Sequence, residues 1–234
     1  MYTMKSRIRF SEVDADGKLS WLGLVDYLQD IATEQSELLH VGVDFLKQTG
    51  HAWIMLSWQI CVNRMPGLAE EIELRTLPYE MRGFYGRRNF QMLAADGEVL
   101  VTADSIWVYM DMEKGRPGRI PAAITEIYQL DEKLPMNYFG RKLKLPEKQE
   151  AKDPVQVLSY FIDTNHHTNN SKYIMLAQSY LPENYPAKEL RVEYRTSAML
   201  GDLLYPLVGE LPNGISVNLA DADGNPYAIV QFLE

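Results

Sequence analysis

The stretch FIDTNHHTNN, residues 161–170, sets one carboxylate, three amide side chains and two imidazoles in ten positions. No other part of the chain is so dense in groups that move protons or hold an anion. An apolar helical pattern follows it, and a helix beginning near Asn170 presents backbone N–H groups and a positive dipole end, suited to a developing oxyanion. An imidazole of ordinary basicity, pKa near ~6.5, can take a proton from water. In that scheme a histidine of the stretch is the base, a nearby carboxylate orients it and steadies the imidazolium, and an Asn side chain supplies a neutral donor or positions the water. A thiolate, with a thiol pKa near ~8.5, leaves without a strong general acid. Thioester hydrolysis therefore suits a site that has a base, a water and an oxyanion pocket but no Cys or Ser nucleophile. The competing reading is a helix cap, since Asn and Asp commonly precede apolar helices. One cap, however, does not need Asp163, Asn165, His167, Asn169 and Asn170 together.

The elements that would carry these residues occur twice. SEVDADGKLSWLGLVDYL in the first half has the shape of YFIDTNHHTNNSKYIMLA in the second. Asp14 falls opposite Asp163, Asp16 opposite Asn165, Lys18 opposite His167 and Ser20 opposite Asn169, so chemistry is expected in the second half only. Trp21, Leu24, Val25, Leu28, Ile31, Ala32, Leu38 and Leu39 follow a 3.6-residue period, with Ser20 as cap and Gly42 beyond the end. Tyr173, Ile174, Ala177 and Tyr180 mark a shorter second helix before Pro182. Strand-like runs follow each helix, and Asp96-Gly97 and Asp223-Gly224 read as matching hairpin turns. Each half is thus a helix followed by an antiparallel meander, an α+β arrangement. We place the first unit at residues 1–130, a linker at 131–154 and the second unit at 155–234. The linker, DEKLPMNYFGRKLKLPEKQEAKDP, is charged, contains Pro and lacks an apolar period.

Composition narrows the function classes. With 46% hydrophobic and 24% charged residues the chain is an ordinary globular one. A net charge of −9 argues against nucleic acid as a partner. No apolar run approaches the ~20 residues needed to insert in a membrane, and no signal peptide is apparent at the start. The single cysteine, Cys61, excludes an internal disulfide, fits a cytoplasmic setting and reads as a buried small hydrophobe. The two DADG runs place Gly too early for a calcium loop and read as turns. His166-His167 lacks the further ligands of a metal site, so no metal and no cofactor are expected.

IDTNHHTNNSKYI resembles the D-x-N-x-H-x-N-N-x-K-Y signature of the acyl-acyl carrier protein (acyl-ACP) thioesterases. The opening RIRFSEVDADG, the doubled unit and EYR at residues 193–195 accompany it, so the resemblance spans the chain. The short amino terminus is similar to the bacterial branch, because plant members carry a plastid-targeting extension. The resemblance implies a double hotdog fold, an acyl-ACP hydrolase that releases free fatty acid in fatty acid biosynthesis, and Asp163, Asn165 and His167 as catalytic positions. It also implies a departure. Plant members continue EYR to a Glu-Cys pair with an assigned catalytic role, and here Ser197 and Ala198 stand in those places. A Cys nucleophile is therefore excluded, and Ser197 at most holds a water. Glu193 is a poor substitute, four residues and roughly 13 Å along a strand.

The substrate-binding candidates are Asn169, Asn170 and a possible acyl-tunnel wall at Trp53, Met55 and Trp58. Arg82, Arg87, Arg88, Arg116 and Arg119 are the candidates for docking an acidic carrier protein. The alternatives are an acyl-CoA thioesterase with the same chemistry, or a non-catalytic acyl-binding hotdog protein. A hotdog hydratase would need His at position 168, where Thr168 stands. A homodimer is compatible with the sequence, and acyl chain length is not legible in it.

Overall fold

The computed structural model describes residues 1–234 and divides into two compact units, Met1–Leu56 with Ile60–Tyr138, and Ser57–Gln59 with Phe139–Glu234. In the first unit the chain runs β1 (Tyr2–Arg7), α1 (Trp21–Leu38), α2 (Val43–Gln48), β2 (His51–Val62), β3 (Glu71–Arg82), β4 (Tyr85–Ala94), β5 (Val99–Asp111), β6 (Arg116–Pro117) and α3 (Ala122–Tyr128). Its strand order is β1-β3-β4-β5-β2, with antiparallel β1–β3, β3–β4 and β4–β5 pairs. The period-3.6 stripe read from the sequence becomes the buried side of α1. Leu24, Val25, Leu28 and Ile31 are fully buried, and α1 packs on β3 and β1. Ser20 caps the helix, its Oγ accepting the Gly23 N–H at 3.0 Å. Cys61, expected in the core, is half-exposed on β2.

The second unit repeats the plan with β7 (Glu150–Ala151), β8 (Val155–Gln156), α4 (Asn170–Gln178), β9 (Glu189–Tyr194), β10 (Leu203–Leu211), β11 (Gly214–Ala220) and β12 (Pro226–Leu233). Its order, β7-β10-β11-β12-β9, matches the first unit strand for strand, and its pairs are antiparallel throughout. Helix α4 packs on β11 and β12, with Tyr173, Ile174 and Ala177 buried. Both hairpin turns sit where the Asp-Gly pairs fell, Gly97 at φ 90° and Gly224 at φ 83°. Each unit backs a helix with its own antiparallel strands in the same order, and two such units make this a double hotdog.

Residues 131–149 are packed rather than loose, and polar residues hold them. In the first unit Asn89, itself fully buried, accepts the Leu134 N–H at 3.0 Å, and the Tyr138 hydroxyl lies 2.9 Å from the same oxygen. In the second, Gln59 Oε1 accepts the Phe139 N–H, Glu193 Oε2 accepts the Leu143 N–H and Gln231 donates to the Lys144 carbonyl, at 2.8, 2.8 and 2.9 Å. Gly209 on β10 is required there, because a Cβ would stand 2.4 Å from the Pro146 ring and 2.6 Å from the Lys148 carbonyl.

Candidate active site

The chemistry-bearing loop is built by its own backbone. A 3-10 turn, Ser159–Phe161, buries the Phe161 ring, and an antiparallel bridge between Ile162 and Thr168 closes residues 163–167 into a tight loop. The Asp163 N–H donates to the His167 carbonyl at 2.9 Å and the His166 N–H returns to the Asp163 carbonyl at 3.0 Å. The Asp163 carboxylate accepts the Asn165 N–H at 2.8 Å. His166 takes the left-handed conformation, φ 62°, that lets the loop close. Asn165 and His166 are exposed, while Asp163 and His167 are half-buried. The loop's hydrogen bonds use the backbone of His167 and leave its imidazole outside them.

Helix α4 starts directly after the loop. Asn169 is its N-cap, with Oδ1 accepting both the Ser171 N–H and the Ser171 hydroxyl at 2.9 Å. The capping role set against chemistry in the sequence therefore belongs to Asn169, and its carbonyl oxygen is committed to the helix. Asn170 is the first helical residue, and its carbonyl accepts the buried Tyr194 hydroxyl at 2.9 Å. The segment after β9 is pinned against the loop through Ala198. The Ala198 carbonyl accepts the Thr168 N–H at 3.0 Å and the Thr168 hydroxyl at 2.9 Å, and its N–H donates to the Tyr173 hydroxyl at 2.8 Å. Burial pushes the Tyr173 phenol up to about 12. Ser197 is exposed beside this junction, whereas the Ala198 side chain is fully buried. Glu193 is 6% exposed, accepts the Leu143 N–H and lies 3.1 Å from the Arg195 guanidinium, so its carboxylate is a structural anchor.

The same loop recurs at residues 14–18 and 221–225. Asp14 and Asp221 each accept a backbone N–H two residues on, from Asp16 at 3.0 Å and Asp223 at 2.9 Å. Gly17 (φ 70°) and Gly224 (φ 83°) occupy the place of His166. A non-glycine residue takes the strained position only in the copy that carries the candidate chemistry.

Comparison with known proteins bears on the whole chain. Residues 1–128, more than half of the 234, match the family model described as the acyl-ACP thioesterase N-terminal domain. The chain belongs to the acyl-ACP thioesterase family. The palmitoyl-acyl carrier protein thioesterase of Cuphea hookeriana is 27% identical over 224 residues, covering 88% of this chain and 54% of that protein. The chain spans about half the length of the curated relatives it matches. An acyl-ACP thioesterase from Bacteroides thetaiotaomicron superposes with a TM-score of 0.90 at 19% identity, covering 99% of this chain and 96% of that one. The 12:0-ACP thioesterase from Umbellularia californica gives 0.87 at 17%, with the same coverage. The family match falls on the first unit, and the structural likeness extends the double hotdog over both.

Within this chain the remaining candidates separate. Trp53 and Met55 belong to the first unit and Trp58 to the second. Strand parity sends Trp53 and Met55 to one face of β2 and Trp58 to the other. Trp53 packs edge-on to Tyr109 at 5.0 Å, and Met55 and Trp58 are buried, 3% and 2% exposed. Arg88 leaves the docking group. It is 8% exposed, donates to Thr76 Oγ1 at 3.1 Å and lies 5.5 Å from the Tyr128 ring centre, and burial lowers its pKa. Counting back by twos from Phe90 and Met92 puts it on the core face of β4, a signal present in the sequence. Arg87, on the opposite face, sits beside Tyr79 and Asp104. Arg82, Arg116 and Arg119 are exposed and share one end of the unit. There the Ile120 N–H meets the Gly83 carbonyl at 2.9 Å and the Tyr109 N–H meets the Phe84 carbonyl at 2.8 Å. Phe84 and Met112, 39% and 50% exposed, add apolar surface to that end. No helix is long and apolar enough to cross a membrane.

Proposed function

We propose that this chain hydrolyses the thioester of fatty acyl-acyl carrier protein and releases free fatty acid. The observation that carries the reading is the closed loop ahead of α4, with a half-buried imidazole that the loop's own bonding does not use. Family membership narrows the substrate class, and the names of the plant relatives, palmitoyl-acyl carrier protein thioesterase among them, point the same way. In this mechanism a water held near Asn165 attacks the acyl carbonyl and gives its proton to His167. The Asp163 carboxylate, one oxygen of which fixes the loop, steadies the imidazolium. Collapse of the tetrahedral intermediate breaks the C–S bond, and the leaving thiolate takes the proton back from His167. Water and thioester become acid and thiol, with no covalent acyl-enzyme. Exposed Arg82, Arg116 and Arg119 are the surface on which an acidic carrier would dock.

The test is His167→Ala with acyl-carrier thioesters of several chain lengths. Loss of the positioned base should lower kcat/KM by about 10²–10⁴ without unfolding the protein. Hydrolysis at the wild-type rate would overturn the assignment. Running each acyl chain also as its CoA thioester distinguishes carrier selectivity from a general acyl-CoA thioesterase, and a bound thioester that persists unhydrolysed for hours would mark an acyl-binding protein.

A further inference from the structure

The two units solve the same packing problem with different side chains. In the first, the segment after β2 is held to the loop by backbone bonds alone, Leu19 N–H to the Pro66 carbonyl at 2.8 Å and Leu68 N–H to the Gly17 carbonyl at 2.9 Å, around a Lys18–Gly67 bridge. The residues in corresponding places are Leu19, the fully buried Leu24 on α1, and Pro66, which has no N–H to donate. In the second unit these places hold Thr168, Tyr173 and Ala198, and both polar groups of the Ala198 peptide are bound by buried hydroxyl-bearing residues. Thr168 is 4% exposed, Tyr173 2% and Ala198 fully buried. Burying a hydroxyl costs free energy relative to an apolar residue of similar shape unless it is hydrogen-bonded, and even a satisfied pair returns little beyond that cost. The fold does not require these hydroxyls, since the first unit closes its junction through main-chain bonds and has leucines in those places. They appear in the unit whose loop carries Asn165 and His167 and are absent where Asp16 and Lys18 stand.

We propose that Thr168 and Tyr173 are positioning residues that clamp the Ala198 peptide, so that the segment bearing Ser197 is held in register with the His167 loop. The inference rests on the hydrolase reading and deepens it. The clamp acts through main-chain atoms, which explains how the side chain at position 198 can be a plain methyl. Tyr173 reaches the peptide from the first turn of α4 while its ring packs on Tyr194 at 5.9 Å, so the clamp is anchored to the helix that follows the loop. Thr168 reaches it from the last residue of the loop bridge. Together they fix the distance between His167 and Ser197 from both sides.

The experiment uses the full chain and the variants Thr168→Val, Thr168→Ser and Tyr173→Phe. Val and Phe preserve shape and remove the hydroxyls, and Ser restores one. Misplacement of about 1 Å can cost 10²-fold in rate, so a partial loosening should lower kcat by about tenfold or more with KM within about twofold. Thr168→Ser should stay near wild type. Amide exchange in residues 196–199 should quicken in the Val and Phe variants, with the interior of α4 unchanged. A merely structural role would lower thermal stability and leave kcat of the folded protein alone, and that result overturns the inference. If the wild type hydrolyses no acyl thioester, the functional reading fails, and exchange alone then decides the clamp. Faster exchange at 196–199 supports it and unchanged exchange removes it.

Discussion

Replacing His166 with glycine should make the protein more stable while leaving its chemistry intact. His166 sits at φ 62° in a loop whose two counterparts place glycine there, at 70° and 83°. A Cβ in the left-handed region costs about 1–2 kcal/mol, less for residues such as His that enter it more readily. Glycine returns roughly 0.5–1 kcal/mol of that gain through the greater freedom of the unfolded chain. The expected net is a stabilisation of about 0.5 kcal/mol, or roughly 1–2 °C in Tm for a chain of this size. The converse change calibrates the argument. Nothing lies within 4 Å of a Cβ built on Gly17, so Gly17→Ala tests backbone strain alone and should destabilise by about 1 kcal/mol. Calorimetry of both variants, with hydrolysis of one acyl-carrier thioester measured alongside, is the assay. A His166→Gly protein that loses more than about 1 kcal/mol, or whose rate falls as far as that of His167→Ala, would show that the His166 side chain has work of its own, and the reasoning would fail.

Three further outcomes are expected. Glu193→Ala removes the acceptor of a buried N–H and the partner of Arg195, so it should cost about 2 kcal/mol in denaturant titrations and speed proteolysis within residues 139–149. An unchanged cleavage pattern would contradict the anchoring role. Burial pushes Asp104 up to about 6, although the Tyr79 hydroxyl donates to it at 2.8 Å. The folded state then binds more protons than the unfolded one between about pH 4 and 6, so the contribution of Asp104 to stability falls as pH rises through that window. Arg87 on β4, Lys133 and Glu80 also act on this group. Asp104→Asn should therefore gain on wild type by about 2 kcal/mol from pH 4 to pH 7 in parallel melts, and parallel pH curves would refute the shift. Reversing Arg82, Arg116 and Arg119 to Glu should raise KM for carrier thioesters about tenfold at low salt and leave CoA thioesters unaffected, and equal effects on both would move the docking surface elsewhere.

Much of this architecture was legible because it is written in periods. The stripe from Trp21 to Leu38 is helical, the Asp-Gly pairs are hairpins, and the alignment of Asp14 with Asp163 anticipated a duplicated loop whose hydrogen bonds match. The packing of residues 131–149 was not legible, since its partners Asn89, Gln59, Glu193 and Gln231 are polar and leave no apolar pattern in the segment they hold. Arg88 was misplaced because an arginine reads as surface, although the alternation through Phe90 and Met92 would have put it inside. The contact among Thr168, Tyr173 and Ala198 is illegible for another reason. Their meaning lies in a contact across 30 positions of chain, and only comparison with Leu19, Leu24 and Pro66 exposes it.

Three copies of one five-residue turn, only one of them bearing an imidazole, separate scaffold from cargo. The backbone closes equally well around Asp-Ala-Asp-Gly-Lys and Asp-Thr-Asn-His-His. Side chains at the third and fifth places can thus be exchanged without redesigning the chain around them. Residues 14–18 are a ready-made mount for transplanting an amide and an imidazole onto the opposite half of the molecule.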